Sequence, residues 1–175
     1  MIPVMLGVYL GFLVSDWAEN NRKRERHELL KANVLAEIKI NQEHLEKIVT
    51  YHEIVRDSSM YYSDPQVPMR KPAFFKGTRI TKLTNSAYMT GIQTGSINEF
   101  PIGDLQRLNQ VYTLQKDYND YGNLILSNLI SLDFSSDEQD LKRIARFLSI
   151  TMIDAVGLEK ELIHRYDEIQ KNLKD

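Results

Sequence analysis

The chain has 175 residues, no cysteine and a formal net charge of −2. That length suggests one domain with appendages, the missing cysteines exclude disulfides, thiolate metal sites and cysteine nucleophiles, and the charge gives no general pull toward nucleic acid. With 42% hydrophobic and 26% charged residues, and only 8 Gly and 5 Pro, a folded chain with long helices is expected rather than a disordered one.

Ile2 to Val14 is an unbroken run of apolar or small residues, followed by Ser15, Asp16 and Trp17 and then a dense charged stretch from Glu19 to Arg26. A cleaved signal peptide needs a basic start and a small-residue cleavage site, and neither is present. A soluble core helix is an alternative, because the run is short for a membrane span. The flanks favour a membrane anchor over residues 1–17. Trp17 suits the interface, and Arg22, Lys23 and Arg24 suit the headgroups. Thirteen to sixteen helical residues rise about 20–24 Å, against a hydrocarbon core of about 30 Å. Either the bilayer thins locally or the natural chain begins upstream of Met1. With Met1 native, the positive-inside rule puts residues 22–175 in the cytoplasm.

Residues 18–62 contain no Pro or Gly and read as one stalk helix. Val34, Ile38, Asn41, Leu45, Ile48, His52 and Val55 step alternately by four and three, a heptad seam. Asn41 and His52 are its polar members. The former reads as a register-setting core amide and the latter as a partly exposed or hydrogen-bonded core histidine. Residues 63–80 read as an irregular loop broken by Pro65, Pro68, Pro72 and Gly77. The loop carries Arg70, Lys71, Phe74, Phe75, Lys76 and Arg79. Such a cluster could stack bases or dock on anionic lipid. The plainer reading has the two phenylalanines pinning the loop to the bundle while the cations face water.

Thr81 to Gly95 reads as a short helix with Leu83, Ala87 and Ile92 as its apolar points, ended by Gly95. Asp104 is expected to cap a helix reaching about Leu132. Leu105, Leu108, Val111, Leu114, Tyr118, Tyr121, Ile125, Leu129 and Leu132 are its core candidates. Ser135, Ser136, Asp137 and Glu138 open the last helix with capping chemistry. There Leu141, Ala145, Leu148, Met152, Ala155, Leu162, Tyr166, Ile169 and Leu173 form the cleanest stripe in the chain. Glu159 fills its one gap. A carboxylate there is either a buried, proton-sensitive group or sits at an exposed turn with Leu158 rotated inward.

Catalytic and metal patterns are scarce. Glu161 and His164 have the Glu-x-x-His spacing of a di-iron bundle, but none of the other histidines completes the second copy such a site needs. There is no phosphate-binding loop, dinucleotide fingerprint or nucleophile elbow. Gly91 and Gly95 have the spacing of a membrane-dimer motif but lie outside any apolar span.

The stretch from Val4 to Arg24 resembles the opening of the bacterial domain-of-unknown-function 6090 family. Its members carry an apolar run containing Gly, then an (N/D)-W-x-E signature followed closely by Arg or Lys, and then a long helix. Gly7, Asp16, Trp17, Glu19 and Arg22 match that layout. A weaker match runs from Asn85-Ser-Ala-Tyr88 to Thr94-Gly95-Ser-Ile97. The resemblance implies a single-pass helical protein tethered to the inner (cytoplasmic) membrane and carries over no catalytic or ligand residues. Family members usually place a basic segment ahead of the apolar run, and this sequence starts inside it.

The expected fold is therefore all-α. A membrane helix continues into a long stalk helix, packed in an antiparallel helical bundle formed with residues 81–175. No catalytic, cofactor-binding or metal-binding residue is assigned. The expected function is a non-catalytic scaffold or accessory subunit of a membrane protein assembly. Its partners would be the lipid bilayer and other membrane subunits or copies of itself, without nucleic acid. The alternative is a sensory or ligand-binding bundle in which Asn41, His52 or Glu159 lines a polar pocket. A buried polar cavity at those residues favours the alternative, and apolar stripes left exposed favour the scaffold.

Overall fold

The computed structural model describes residues 2–69, 73–132 and 137–173, with side chains from residue 9 onward. Four α-helices account for most of it: α1 (Ile2–Ser63), α2 (Ser86–Thr94), α3 (Ile102–Ile130) and α4 (Glu138–Asn172). A single 3₁₀ turn, Ser96–Glu99, follows α2. The described residues contain no strand.

The first helix runs unbroken through the boundary expected at residue 17. Its apolar start and its stalk are one rigid element, because no Pro or Gly interrupts residues 18–62. It ends where Ser63 Oγ donates to the Met60 carbonyl (2.8 Å) and Pro65 cannot continue the ladder. Among the described residues no helix is long and apolar enough to cross a membrane.

The last helix packs along α1 and also against α3. Gln42 bonds Asp167, His52 meets Glu159, and Glu53 pairs with Lys160. The seam of α1 is wholly inside, with Val34, Ile38, Leu45, Ile48 and Val55 all buried. So are the nine apolar positions of the α4 stripe. Of the α3 candidates, Leu108, Val111, Tyr118, Ile125 and Leu129 are buried, while Leu105, Leu114, Tyr121 and Leu132 are half-buried.

The largest departure from the sequence reading is the connector. Residues 81–85 carry no regular secondary structure rather than being helical, and α2 begins only at Ser86. Side chains of α1 and α3 occupy the backbone groups that a helix would have used itself. Leu83 is buried, but Ile92, an expected core point, is 45% exposed. Gly95 ends α2 in the left-handed conformation (φ 74°). The third helix starts at Ile102 after Pro101, two residues before Asp104, as suits a fixed proline φ at a helix entry. Asp137 precedes α4. Ser135 and Ser136, like Arg70, Lys71 and Pro72 of the loop, lie outside the described residues.

Two glycines set how closely elements approach. A Cβ at Gly91 would lie 2.7 Å from Leu30 Cδ2, and one at Gly122 would lie 2.6 Å from Ile80 Cγ2. Leu148 has no exposed surface, whereas Leu124 is 56% exposed. Leu148→Ala should therefore cost about 2–5 kcal/mol, and Leu124→Ala less than about 0.5 kcal/mol. Urea unfolding followed by circular dichroism tests this, and equal costs would remove Leu148 from the core.

Candidate functional site

The inner face of α1 carries three polar side chains, Glu37, Asn41 and His52, among its apolar seam residues. All three are buried, with Asn41 and His52 at 0% exposure. Asn41 and His52 reach the connector, which returns along α1 against α3, and Glu37 reaches the start of α2. A segment with neither a helix nor a neighbouring strand has no ladder for its N–H and C=O groups, so buried ones need other partners.

Side chains supply them from both sides. Asn41 donates to the Thr84 carbonyl (2.7 Å) and accepts from the Thr84 N–H (3.0 Å). Gln115 of α3 donates to the same carbonyl (2.7 Å) and accepts from Tyr166 of α4 (2.8 Å). Asn119 does for Leu83 what Asn41 does for Thr84, accepting from its N–H (2.9 Å) and donating to its carbonyl (3.1 Å). One turn further back, the Glu37 carboxylate accepts from the Ala87 N–H (2.9 Å) and the Ser86 hydroxyl (2.9 Å). It thereby caps α2 from another helix, a negative charge at a helix N-terminus. The Tyr112 hydroxyl donates to the other Glu37 oxygen (2.8 Å). Tyr112 also stacks on Tyr88 at 4.1 Å.

The most unusual cluster joins three elements. His52 Nδ1 lies 2.7 Å from Glu159 Oε1, and both side chains have no exposed surface. His52 Nε2 lies 2.6 Å from the Thr78 carbonyl. A carbonyl only accepts, so Nε2 carries a proton. One further proton then sits between Nδ1 and Oε1, and the pair is neutral overall whichever atom holds it. The Tyr118 hydroxyl donates to the same Oε1 (3.1 Å). Glu159 Oε2 has no hydrogen-bond partner among the described residues. Of the two readings of Glu159, the structure places it inward, and Leu158 is only half-buried.

The sequence-marked positions Asn41, His52 and Glu159 thus all lie in the core, with Asn41 in a separate cluster from the other two. Glu37, Gln115 and Asn119 escape a search for apolar periodicity. Their signal is a polar residue at stripe spacing: Gln115 stands four after Val111 and three before Tyr118, and Glu37 stands three after Val34. Glu161 and His164 face outward and pair with Arg165 (2.8 Å) and Glu168 (3.5 Å). Among the described residues no group of three or more His, Cys, Asp or Glu could hold a metal.

The loop aromatics pack inward. Phe74 stacks on Tyr62 (5.5 Å), and both Phe74 and Phe75 pack against the core around Val55 and Ile125. Tyr51 accepts from the Lys76 N–H and donates to the Gly77 carbonyl, and Arg79 lies over its ring. Lys142 closes the other end by donating to the Asp64 and Val67 carbonyls. At the far end of α1, Trp17 is 67% exposed. Lys23 pairs with Glu19 (3.0 Å), Arg24 donates to Asn21 (3.2 Å), and Arg22 is exposed.

Surface grooves border part of this network. Open grooves of about 280 and 410 Å³ run between α1 and α2, lined by residues such as Arg26, Asn33, Ala36 and Thr90. Asn41, His52 and Glu159 line neither of these two grooves, but Glu37, Thr84, Ser86 and Ala87 of the same network line the larger one.

Glu159→Leu leaves an uncompensated His52 in the core and should cost about 3–5 kcal/mol. The double variant His52→Leu/Glu159→Leu should cost less than the sum of the singles, with a coupling of about 1–3 kcal/mol. Additive losses in a double-mutant cycle would show that the pair contributes nothing.

Burial raises the pKa of Tyr112, Tyr118 and Tyr166, and the charges of Glu37 and Glu159 add to this at the first two. Burial first, and Asp154 second, push Tyr121 up to about 12. A folded pKa above the unfolded value of about 10 favours the protonated phenol in the fold. The associated stability is fully present below about pH 10 and is lost as pH rises above it. Thermal unfolding midpoints should therefore fall steeply only above about pH 10. Midpoints still level well above that pH would contradict the burial of these hydroxyls.

No family model, curated protein or solved structure matches the chain.

Proposed function

We propose that the chain is a non-catalytic scaffold or accessory subunit, tethered to a membrane at its N-terminal end and joined to partner proteins through the outer faces of an antiparallel helical bundle. One observation carries this reading. Tyr9, Leu10, Phe12, Leu13, Val14 and Trp17 are 47–67% exposed on an arm continuous with the bundle's longest helix. An apolar surface of that extent marks a contact with lipid or protein. Trp17 and the cations Arg22, Lys23 and Arg24 follow it in the order expected at a bilayer interface. The polar groups of the core bond mainly to the backbone of the connector and the start of α2, which supports a role in assembly. The family resemblance, with its layout of Gly7, Asp16, Trp17, Glu19 and Arg22, points the same way. By the positive-inside rule, Arg22, Lys23 and Arg24 support an inner-membrane tether with the bundle on the cytoplasmic side.

A second reading, a membrane-tethered sensory or ligand-binding bundle, has one observation in its favour. The partnerless Glu159 Oε2 is a buried acceptor with unused capacity. Purification in mild detergent followed by mass spectrometry separates the two readings. Co-purifying subunits support the scaffold, and a lone chain holding a small molecule supports the sensor.

The tether is tested by fractionation. The full chain should sediment with membranes after cell breakage without detergent. A variant with Phe12, Leu13 and Trp17 replaced by Glu should move to the supernatant with its helix content unchanged. Wild-type protein in the supernatant would end the membrane reading.

A further inference from the structure

Between residues 18 and 63 the exposed large apolar side chains of α1 are Leu29, Ile40, Ile54, Met60 and Tyr61. Four of the five fall on one stripe that steps by four and three on the outer face, away from the buried seam. The stripe also passes through Asn33, Ala36, Glu43, Lys47, Thr50 and Asp57, and all of its positions are exposed. It spans about 48 Å of helix. Two charges stand at its centre. Glu43 and Lys47 are spaced for an ion pair with each other, yet the structure gives neither one.

Those charges decide which partner fits. In a parallel pair of identical helices each stripe position faces itself, so Glu43 would meet Glu43 and Lys47 would meet Lys47. In an antiparallel pair, alternate stripe positions face each other. With the two-fold axis beside residue 45, Glu43 meets Lys47 of the second copy, twice. The same register sets Ile40 against Thr50 and Ala36 against Ile54. It also brings Leu29 onto Tyr61 and lets Asn33 hydrogen-bond Asp57. On the flank Ala32 meets Met60, the fifth exposed apolar residue. Lys39 approaches Glu53, which already pairs with Lys160 at 2.6 Å. The one like-charge approach is Glu46 with its own copy at the axis, beside both Lys47 side chains.

We propose that this outer face of α1 is a homodimer interface, formed by two copies of the chain packed antiparallel about residue 45. This rests on the assembly reading above and names its partner, but it does not depend on the membrane tether. It has a geometric consequence for the tether. The two Trp17 residues lie about 80 Å apart at opposite ends of the pair. Two anchored copies therefore pair across facing membranes, not within one flat bilayer.

The absence of cysteine makes the test direct. Full-length Ala36→Cys and Ile54→Cys chains, each altered at an exposed site, are purified in mild detergent and oxidised separately and as a mixture. The mixture should yield a disulfide-linked dimer, and each chain alone should not. Self-linking of Ala36→Cys would indicate a parallel pair and overturn the proposal. In sedimentation velocity of the otherwise native chain, Glu43→Lys should weaken dimerisation by about tenfold or more. Lys47→Glu should do the same, and the double variant should restore it. A double variant no better than the singles would also overturn the proposal. A wild-type chain that is monomeric alone but leaves the membrane with other subunits refutes self-pairing and leaves the assembly reading intact. A chain that is monomeric and unaccompanied refutes both.

Discussion

The architecture depends on one requirement, that a segment packed against helices without regular secondary structure of its own find partners for its backbone. The connector returns from the end of α1 toward the start of α2 through the space between α1 and α3. A helix would satisfy its own N–H and C=O groups, and a strand would borrow those of a neighbour. This segment has neither. Its partners are Tyr51, His52 and Asn41 on α1 and Asn119 and Gln115 on α3. The buried polar residues of the core are there because that path is there.

The same requirement explains why the polar groups are linked across helices. Gln115 reaches the connector with its amide N–H and offers its oxygen to Tyr166 of α4. His52 reaches it with Nε2 and turns Nδ1 to Glu159 of α4. Each bond to the connector is thus backed by a second bond to the helix on the other side. A buried network of this kind is stable only when nearly every member is satisfied. The exception, Glu159 Oε2, sits at the point where two ionisable groups share a proton. Removing one member of such a buried pair leaves the other without its partner, so the contact favours one packing of α1, α4 and the connector.

The outside of the molecule follows a different logic. The inner face of α1 is committed along its length from Leu30 to Ser59. Its opposite face and its N-terminal arm carry apolar side chains that nothing within the chain covers.

Periodicity alone determined the helices, the seams of α1 and α4 and most of the α3 stripe, because burial against a neighbouring helix imposes a 3.6-residue rhythm that residue types reveal. It also marked Asn41, His52 and Glu159, as polar interruptions of that rhythm. The tertiary structure alone decided that 81–85 is not helical, since helix propensity is local and the amides of Asn41 and Asn119 that replace the helix bonds come from far along the chain. It alone paired His52 with Glu159, 107 residues apart, and made Glu37 the cap of a helix it does not belong to. Such partnerships depend on which elements lie side by side, and spacing along a single chain carries no record of that.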